Sequence, residues 1–150
     1  MNRSNLHVVT KRCLVASAAF TAVAVLLPGV AAATPTIGVS AVTLSKQTVN
    51  GKDYIVSDIT IAPGGSTGWH VHEGTAYGIV KAGILTHYAA DCSQDGVYGA
   101  GDAITDPTGL NHVHIARNLG TTPLVLEVTY IDAAGAPTSD SVPNPGCPFS

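Results

Sequence analysis

Two pairs of histidines are the residues of this chain whose types and spacing most directly indicate chemistry. His70 and His72 follow a glycine-rich stretch, and His112 and His114 repeat the same spacing further along the chain. Residues two apart on an extended strand point to the same face of a sheet, so each pair would aim two imidazoles at one place. Imidazole nitrogens are good ligands for transition metals. The two pairs therefore predict a metal site on a β-scaffold.

The elements that must position these histidines are short strands. Glycine (16 residues) and proline (9 residues) are frequent and evenly scattered, and no segment keeps a helical apolar period. Asn50-Gly51 predicts a type I′ hairpin. The composition predicts an all-β barrel or jelly roll. Its eight predicted strands cover residues 39–45, 54–61, 67–72, 76–81, 84–89, 102–106, 112–117 and 124–131.

Residues 1–33 have the pattern of an export signal. Positive charges precede a nearly uncharged apolar stretch at residues 13–30, and Ala31-Ala32-Ala33 provides a small-residue cleavage site. Pro28-Gly29 interrupts the apolar stretch, which favours cleavage over a lasting membrane anchor. We therefore predict a secreted or cell-envelope protein whose single domain covers residues 34–150 and ends in a proline-rich tail.

The predicted mature domain is acidic. All ten acidic residues of the chain follow residue 33, whereas three of its seven basic residues precede it. A nucleic-acid partner needs a basic stripe to neutralise phosphates, so that class of partner is excluded. We expect a small-molecule ligand or substrate instead. Small β-barrels often bury a sheet edge by dimerising, so a homodimer is an assembly that the sequence allows.

Two cysteines, Cys92 and Cys147, follow the predicted signal. In an oxidising compartment an even count indicates a disulfide, which would fasten the proline-rich tail to the body of the domain. The alternative is a thiolate metal ligand. Neither cysteine has a Cys or His partner at zinc-site spacing, so the disulfide is favoured.

The spacing of glycines, prolines and histidines resembles that of the cupin superfamily over almost the whole predicted domain. The first cupin motif, G-x5-H-x-H-x3-E-x6-G, is matched by Gly64, His70, His72 and Gly83. The second, G-x5-P-x-G-x2-H-x3-N, is matched by Gly101, Pro107, Gly109 and His112. The resemblance implies a double-stranded β-helix, or jelly-roll, barrel that holds a divalent transition metal (Fe, Mn, Zn, Ni or Cu) at its mouth.

The first departure from the cupin pattern concerns its carboxylate ligand. The position of the motif glutamate falls on Ala76, which cannot bind a metal. Glu73 is adjacent to the histidine pair, but on an extended strand its side chain would point away from theirs. Glu73 is therefore a weak substitute.

The second departure concerns the last histidine ligand. Counted from Gly109 the ligand is His112, whereas counted back from Asn118 by the family's H-x3-N spacing it is His114. We favour His114 because the turn after Asn118 fixes the end of the strand, and we keep both as candidates. If both lie on one strand, both should face the same side of the sheet.

The other ring-bearing and cationic residues are expected to be structural. A lone strand histidine such as His87 is more often a hydrogen-bonded core or surface residue than a ligand. Arg117 is the only cation near the second pair, and a surface salt bridge is its expected role, with an anionic substrate group as the alternative. Packing is the expected role of the aromatic residues Trp69, Tyr77, Tyr88 and Tyr130.

Two functions are compatible with this pattern. One is an exported metal-binding cupin that acts on a small organic substrate as an oxygenase, isomerase or hydrolase. The other is a non-catalytic cupin that has lost its metal and binds a small molecule or an envelope partner.

Overall fold

The computed structural model describes residues 32–150, which form ten antiparallel strands and no helix. The predicted signal at residues 1–33 lies almost entirely outside this range, and its cleavage stays a prediction. Within the described range no helix is long and apolar enough to cross a membrane. The strands are β1 (Ile37–Val49), β2 (Lys52–Ser66), β3 (His70–Val71), β4 (Thr75–Ala82), β5 (Ile84–Ala89), β6 (Gln94–Gly99), β7 (Ala103–Asp106), β8 (His114–Arg117), β9 (Leu124–Ala133) and β10 (Asp140–Ser141).

The strands form one sheet that curls into a nearly closed barrel, which confirms the predicted all-β jelly roll. The order across the sheet is β10-β3-β8-β2-β9-β4-β7. Outside this path β1 pairs with β2, and β5 pairs with both β6 and β8. β9 is a central strand, paired with β2 along its whole length and with β4 from Val125 to Ile131, as its nearly continuous apolar sequence favours.

Alternation along the strands places one apolar face inside the barrel. In β2, every second residue from Asp53 to Ser57 is buried, as is Ile61, whereas the residues next to them are partly or fully exposed. In β9, Leu124 and Leu126 are buried and pack in the same cluster as Ile61. This cluster fills one part of the barrel interior, and the polar site lies on the same inner side of the sheet.

Two turns fix the register of the strands around the site. Asn50 and Gly51 have φ values of 50° and 75°, and they join β1 to β2 as the predicted hairpin. Asn118, which is fully buried, donates hydrogen bonds from its amide to the carbonyl oxygens of Ile61 (2.9 Å) and Thr122 (2.8 Å). Asn118 therefore ends β8 and ties this end to β2.

The C-terminal tail packs on the outer face of β3 and β8. The predicted disulfide between Cys92 and Cys147 is present. The buried side chains of Trp69 and Ile115 pack against Cys147, and the Trp69 ring stacks on Phe149 with 5.9 Å between ring centroids. Because side chains alternate along a strand, Ile115 under the tail lies on the face opposite His114.

The strands differ from the prediction most clearly in two unpredicted strands and in the two histidine strands. β6 and β10 were not predicted, because their polar and glycine-containing sequences lack a strand-like apolar pattern. The first histidine strand has only two residues, His70 and Val71, because β2 extends to Ser66 and a turn separates the two. The second histidine strand begins at His114, so His112 lies in the preceding loop.

The position of the disulfide predicts its contribution to stability. The two cysteines are 55 residues apart, so replacing both by serine in metal-free protein should lower the free energy of unfolding by about 4 kcal/mol. Urea denaturation measures this loss. Reductant should lower the wild-type stability to the same level and leave the Cys92→Ser/Cys147→Ser variant unchanged. A loss below about 1 kcal/mol would show that packing alone holds the tail.

Candidate metal centre

Three of the four predicted histidines meet inside the barrel. His70 on β3 lies directly opposite His114 on β8, and their ring centroids are 4.2 Å apart. His72 follows β3, with its ring 4.9 Å from that of His70. All three side chains are buried, and their ligand atoms lie within 4.8 Å of one another. The structure therefore brings together the three nitrogen donors that the sequence pattern favoured.

Backbone carbonyl groups fix the orientation of these three rings. The Nδ1 atom of His70 lies 2.9 Å from the carbonyl oxygen of Gly68, and that of His114 lies 2.8 Å from the carbonyl oxygen of His112. The Nδ1 atom of His72 is hydrogen-bonded to the carbonyl oxygen of Thr138. A carbonyl oxygen only accepts, so each Nδ1 carries the proton and each Nε2 keeps its lone pair. This is the arrangement that protein metal sites use to orient a histidine ligand.

A carboxylate that the sequence analysis did not identify completes the cluster. Asp106, the last residue of β7, is the cross-strand partner of Ala76 on β4. Its Oδ2 atom lies 3.6 Å from Nε2 of His114 and 3.9 Å from Nε2 of His72. Directly opposite residues of an antiparallel pair share a face, so Asp106 reaches the space beside the position where the cupin motif has its glutamate. The carboxylate beside His72 and His114 therefore comes from the neighbouring strand β7 and not from the motif position on β4.

His87 on β5 also belongs to the cluster, contrary to the structural role expected for it. Its Nδ1 atom is hydrogen-bonded to the carboxylate of Asp95 on β6. Its Nε2 atom lies 3.4 Å from Oδ1 of Asp106, at ion-pair distance but outside hydrogen-bond alignment. A lone histidine gives no spacing signal, and only the β5–β8 pairing brings it to the site.

His112 approaches the same carboxylate from the loop before β8. Its Nε2 atom lies 3.8 Å from Oδ1 of Asp106, and its side chain is 32% exposed. His112 and His114 reach the same side of the sheet, although His112 lies before the strand, in a turn closed by its amide donating to the carbonyl oxygen of Gly109. Counting back from Asn118 therefore identified the buried histidine, His114.

The remaining candidates lie elsewhere. Glu73 is exposed and is not part of the cluster, so it does not replace the motif glutamate. Arg117 packs its guanidinium over the ring of Phe149, at 4.7 Å, where we had expected a salt bridge. Tyr130, expected to be a packing residue, lines the cavity beside His72 with 5.8 Å between the ring centroids.

Burial and charge set the protonation of the cluster. Burial lowers the pKa of His70 to about 4, and both burial and the neighbouring His70 lower the pKa of His114. Burial would raise the pKa of Asp106, but the surrounding imidazoles, His87 foremost, hold it well below its usual value. Burial would lower the pKa of His87, but the carboxylates of Asp106 and Asp95 raise it. The interior thus holds neutral His70 and His114 beside an ionised Asp106, whose carboxylate favours the protonated form of His87.

These donors fit a divalent transition metal. The Nε2 atoms of His87 and His114 are buried and have no hydrogen-bond partner within the described chain, which is costly unless something else binds them. The cluster forms the polar end of a cavity of about 60 Å³, whose other walls are apolar side chains such as Leu85 and Leu126. A set of imidazole nitrogens with one carboxylate suits Mn, Fe, Co, Ni, Cu or Zn.

The sequence profile of the Cupin domain family matches residues 57–131, which include the first histidine pair, Asp106 and β8. The chain belongs to the cupin family. No functionally curated protein matches the sequence.

Solved cupin structures share the fold at low sequence identity. A cupin-2 domain protein from Rhodospirillum rubrum is 14% identical, with a TM-score of 0.56 over 71% of this chain and 66% of that chain. The polyketide cyclase RemF from Streptomyces resistomycificus is 16% identical, with a TM-score of 0.53 over 70% of this chain and 77% of that chain. A recombinant oxalate oxidase in complex with glycolate is 22% identical, with a TM-score of 0.53 over 64% of this chain and 51% of that chain.

The burial of His70 predicts how the stability of this cupin depends on pH. The pKa of His70 falls from 6.5 to about 4 on folding, so the unfolded chain binds more protons between these values. The stabilising effect of the neutral ring is complete above pH 6.5 and is lost as the pH falls toward 4. Chelator-treated wild type should lose on the order of 3 kcal/mol more than His70→Gln over this range.

Urea denaturation of both proteins at several pH values measures this difference. The rise in the pKa of His87 acts in the opposite direction in both proteins and cancels in the comparison. Removing His70 also removes its lowering of the pKa of His114, which increases the difference in the same direction. Parallel plots of unfolding free energy against pH for wild type and His70→Gln would show that folding does not lower the pKa of His70.

Proposed function

We propose that this protein is an exported cupin that holds a divalent transition metal through His70, His72, His114 and Asp106 and uses it to bind and act on a small organic ligand. The observation that carries the proposal is the cluster of the three histidines inside the barrel, in which Nε2 of His72 and of His114 lies 3.9 Å and 3.6 Å from the Asp106 carboxylate. Each of these three rings has its Nδ1 atom engaged by a carbonyl oxygen, which supports a ligand role for Nε2.

The charge of the cluster indicates the class of ligand. A bound divalent ion would supply Lewis acidity and, for a redox-active metal, electron transfer. Three neutral imidazoles and one carboxylate would leave a net positive charge and open coordination positions. We therefore propose a small anionic ligand with oxygen donors, such as a carboxylate. The Tyr130 hydroxyl beside His72 can only donate to such a ligand at neutral pH, because burial raises the pKa of Tyr130 to about 12.

Two further observations support parts of this proposal. One structural neighbour is an oxalate oxidase in complex with glycolate, and we extend the class of small oxygen-rich ligands from it to this chain. The disulfide between Cys92 and Cys147 is typical of oxidising compartments, which supports export.

A second candidate function is ligand capture without turnover. The Nε2 atoms of His87 and His112 lie 3.4 Å and 3.8 Å from Oδ1 of Asp106, so their rings would compete with a substrate for space beside the metal. A metal surrounded by all of these donors would bind a ligand weakly or serve in electron transfer.

The metal proposal predicts opposite outcomes for two acidic residues. Untagged protein, stripped with chelator, should take up Mn²⁺, Co²⁺, Ni²⁺, Cu²⁺ or Zn²⁺ to a defined stoichiometry. Asp106→Asn should weaken binding at least about tenfold because it removes the anionic donor. Glu73→Gln is the matched control and should bind as wild type does, because Glu73 is exposed and outside the cluster.

Isothermal titration calorimetry and elemental analysis measure these affinities, and glycolate added to metal-loaded and metal-free protein then tests the ligand class. Glycolate should bind only the loaded form. Failure of wild type to take up any of the five metals would overturn the proposal, and equal losses in the two variants would remove Asp106 from the site.

A further inference from the structure

The barrel interior holds more donors than one metal ion requires. Two groups of ligand atoms each lie within 4.8 Å of one another: His70, His72 and His114 form the first, and His87, Asp106, His112 and His114 form the second. Four imidazoles and the Asp106 carboxylate therefore line one cavity, and His112 approaches the same carboxylate from the loop before β8. A single ion bound by the first group would leave the Nε2 atoms of His87 and His112 without a bound metal.

The two oxygen atoms of Asp106 face different histidine pairs. Oδ2 is the oxygen near His114 and His72, at 3.6 Å and 3.9 Å. Oδ1 is the oxygen near His87 and His112, at 3.4 Å and 3.8 Å. This division is what a carboxylate needs in order to bridge two ions, with one oxygen bound to each.

We propose that the cluster is a two-metal centre, with a second ion held by Nε2 of His87, Nε2 of His112 and Oδ1 of Asp106. This inference rests on the proposed function, because the first ion is the one held by His70, His72, His114 and Oδ2. Adjacent ions in protein two-metal sites lie about 3.5–4 Å apart and share a bridging ligand, and Asp106 is that ligand here.

The surroundings of His87 support the second site independently of the first. Its Nδ1 atom is engaged by the Asp95 carboxylate, which is the usual way that proteins orient a metal-binding imidazole. Its Nε2 atom is buried without a hydrogen-bond partner in the described chain and points toward Asp106. The side chain itself is only 5% exposed.

His112 determines the expected strength of the second site. It lies in the loop before β8 and is the most exposed of the clustered imidazoles, with 32% of its side chain accessible. The second ion should therefore bind more weakly than the first and exchange with solvent more readily. Replacing His112 should also disturb the fold less than replacing a buried histidine.

Stepwise Cu²⁺ titration of untagged, chelator-stripped full-length protein tests the inference. Elemental analysis after desalting should give about two ions per chain for wild type and about one for His112→Ala and His87→Gln. In the electron paramagnetic resonance spectrum of wild type, the second equivalent should reduce the signal of the first through coupling across Asp106. In His112→Ala the signal should grow with the first equivalent and then stop.

Two controls separate the possible outcomes. Glu73→Gln should keep the wild-type stoichiometry, because Glu73 is exposed and outside the cluster, and a lower count in this variant would reveal binding elsewhere. His70→Gln should weaken the first binding step by at least about tenfold.

One ion in wild type, unchanged in His112→Ala, would overturn the two-metal centre and leave the proposed single-metal function intact. Two ions in wild type and one in Glu73→Gln would also overturn it. No ion in any variant would overturn the proposed function as well.

Discussion

A largely buried carboxylate surrounded by imidazoles is the constraint on which the barrel interior depends. An ionised group inside a protein is stable only when positive charge or hydrogen-bond donors compensate it. Asp106 lies 3.4–3.9 Å from the Nε2 atoms of His72, His87, His112 and His114, and its charge raises the pKa of His87. These histidines lie on β5, on β8 and in the segments that follow β3 and precede β8. The strands that carry them must therefore keep their register, because a shift of one residue would turn a side chain outward and leave the carboxylate unpaired.

The short pairing of β3 with β8 connects this interior to the outer surface of the barrel. His70 and His114 face inward from the pair, and Trp69 and Ile115 next to them lie under the C-terminal tail. The disulfide at Cys147 holds the tail in place. One short segment of backbone thus positions both the candidate metal ligands and the side chains that pack under the tail. The packing beside the site therefore involves a tail that is distant from it in sequence.

The sequence predicted the parts of this site that depend on local spacing. The H-x-H pair, the jelly roll and the choice of His114 over His112 follow from short-range patterns, and Asn118 marks the strand end from which His114 is counted. Asp106 could not be found in this way, because its relation to Ala76 exists only across the β4–β7 pairing. The same holds for His87, which reaches the cluster through the pairing of β5 with β8. Both residues reach the cluster through pairings between strands that are distant in sequence, and a single sequence does not predict the register of these pairings.

The central claim is that a carboxylate from β7 takes the place of the missing motif glutamate in the metal shell. Anomalous X-ray diffraction at the cobalt edge, from crystals of chelator-stripped protein reloaded with Co²⁺, tests it most directly. The account predicts an anomalous peak within about 2.2 Å of an Asp106 oxygen and of the Nε2 atoms of His70, His72 and His114. A peak outside the barrel, or one ligated by the three histidines with Asp106 beyond bonding distance, would contradict it.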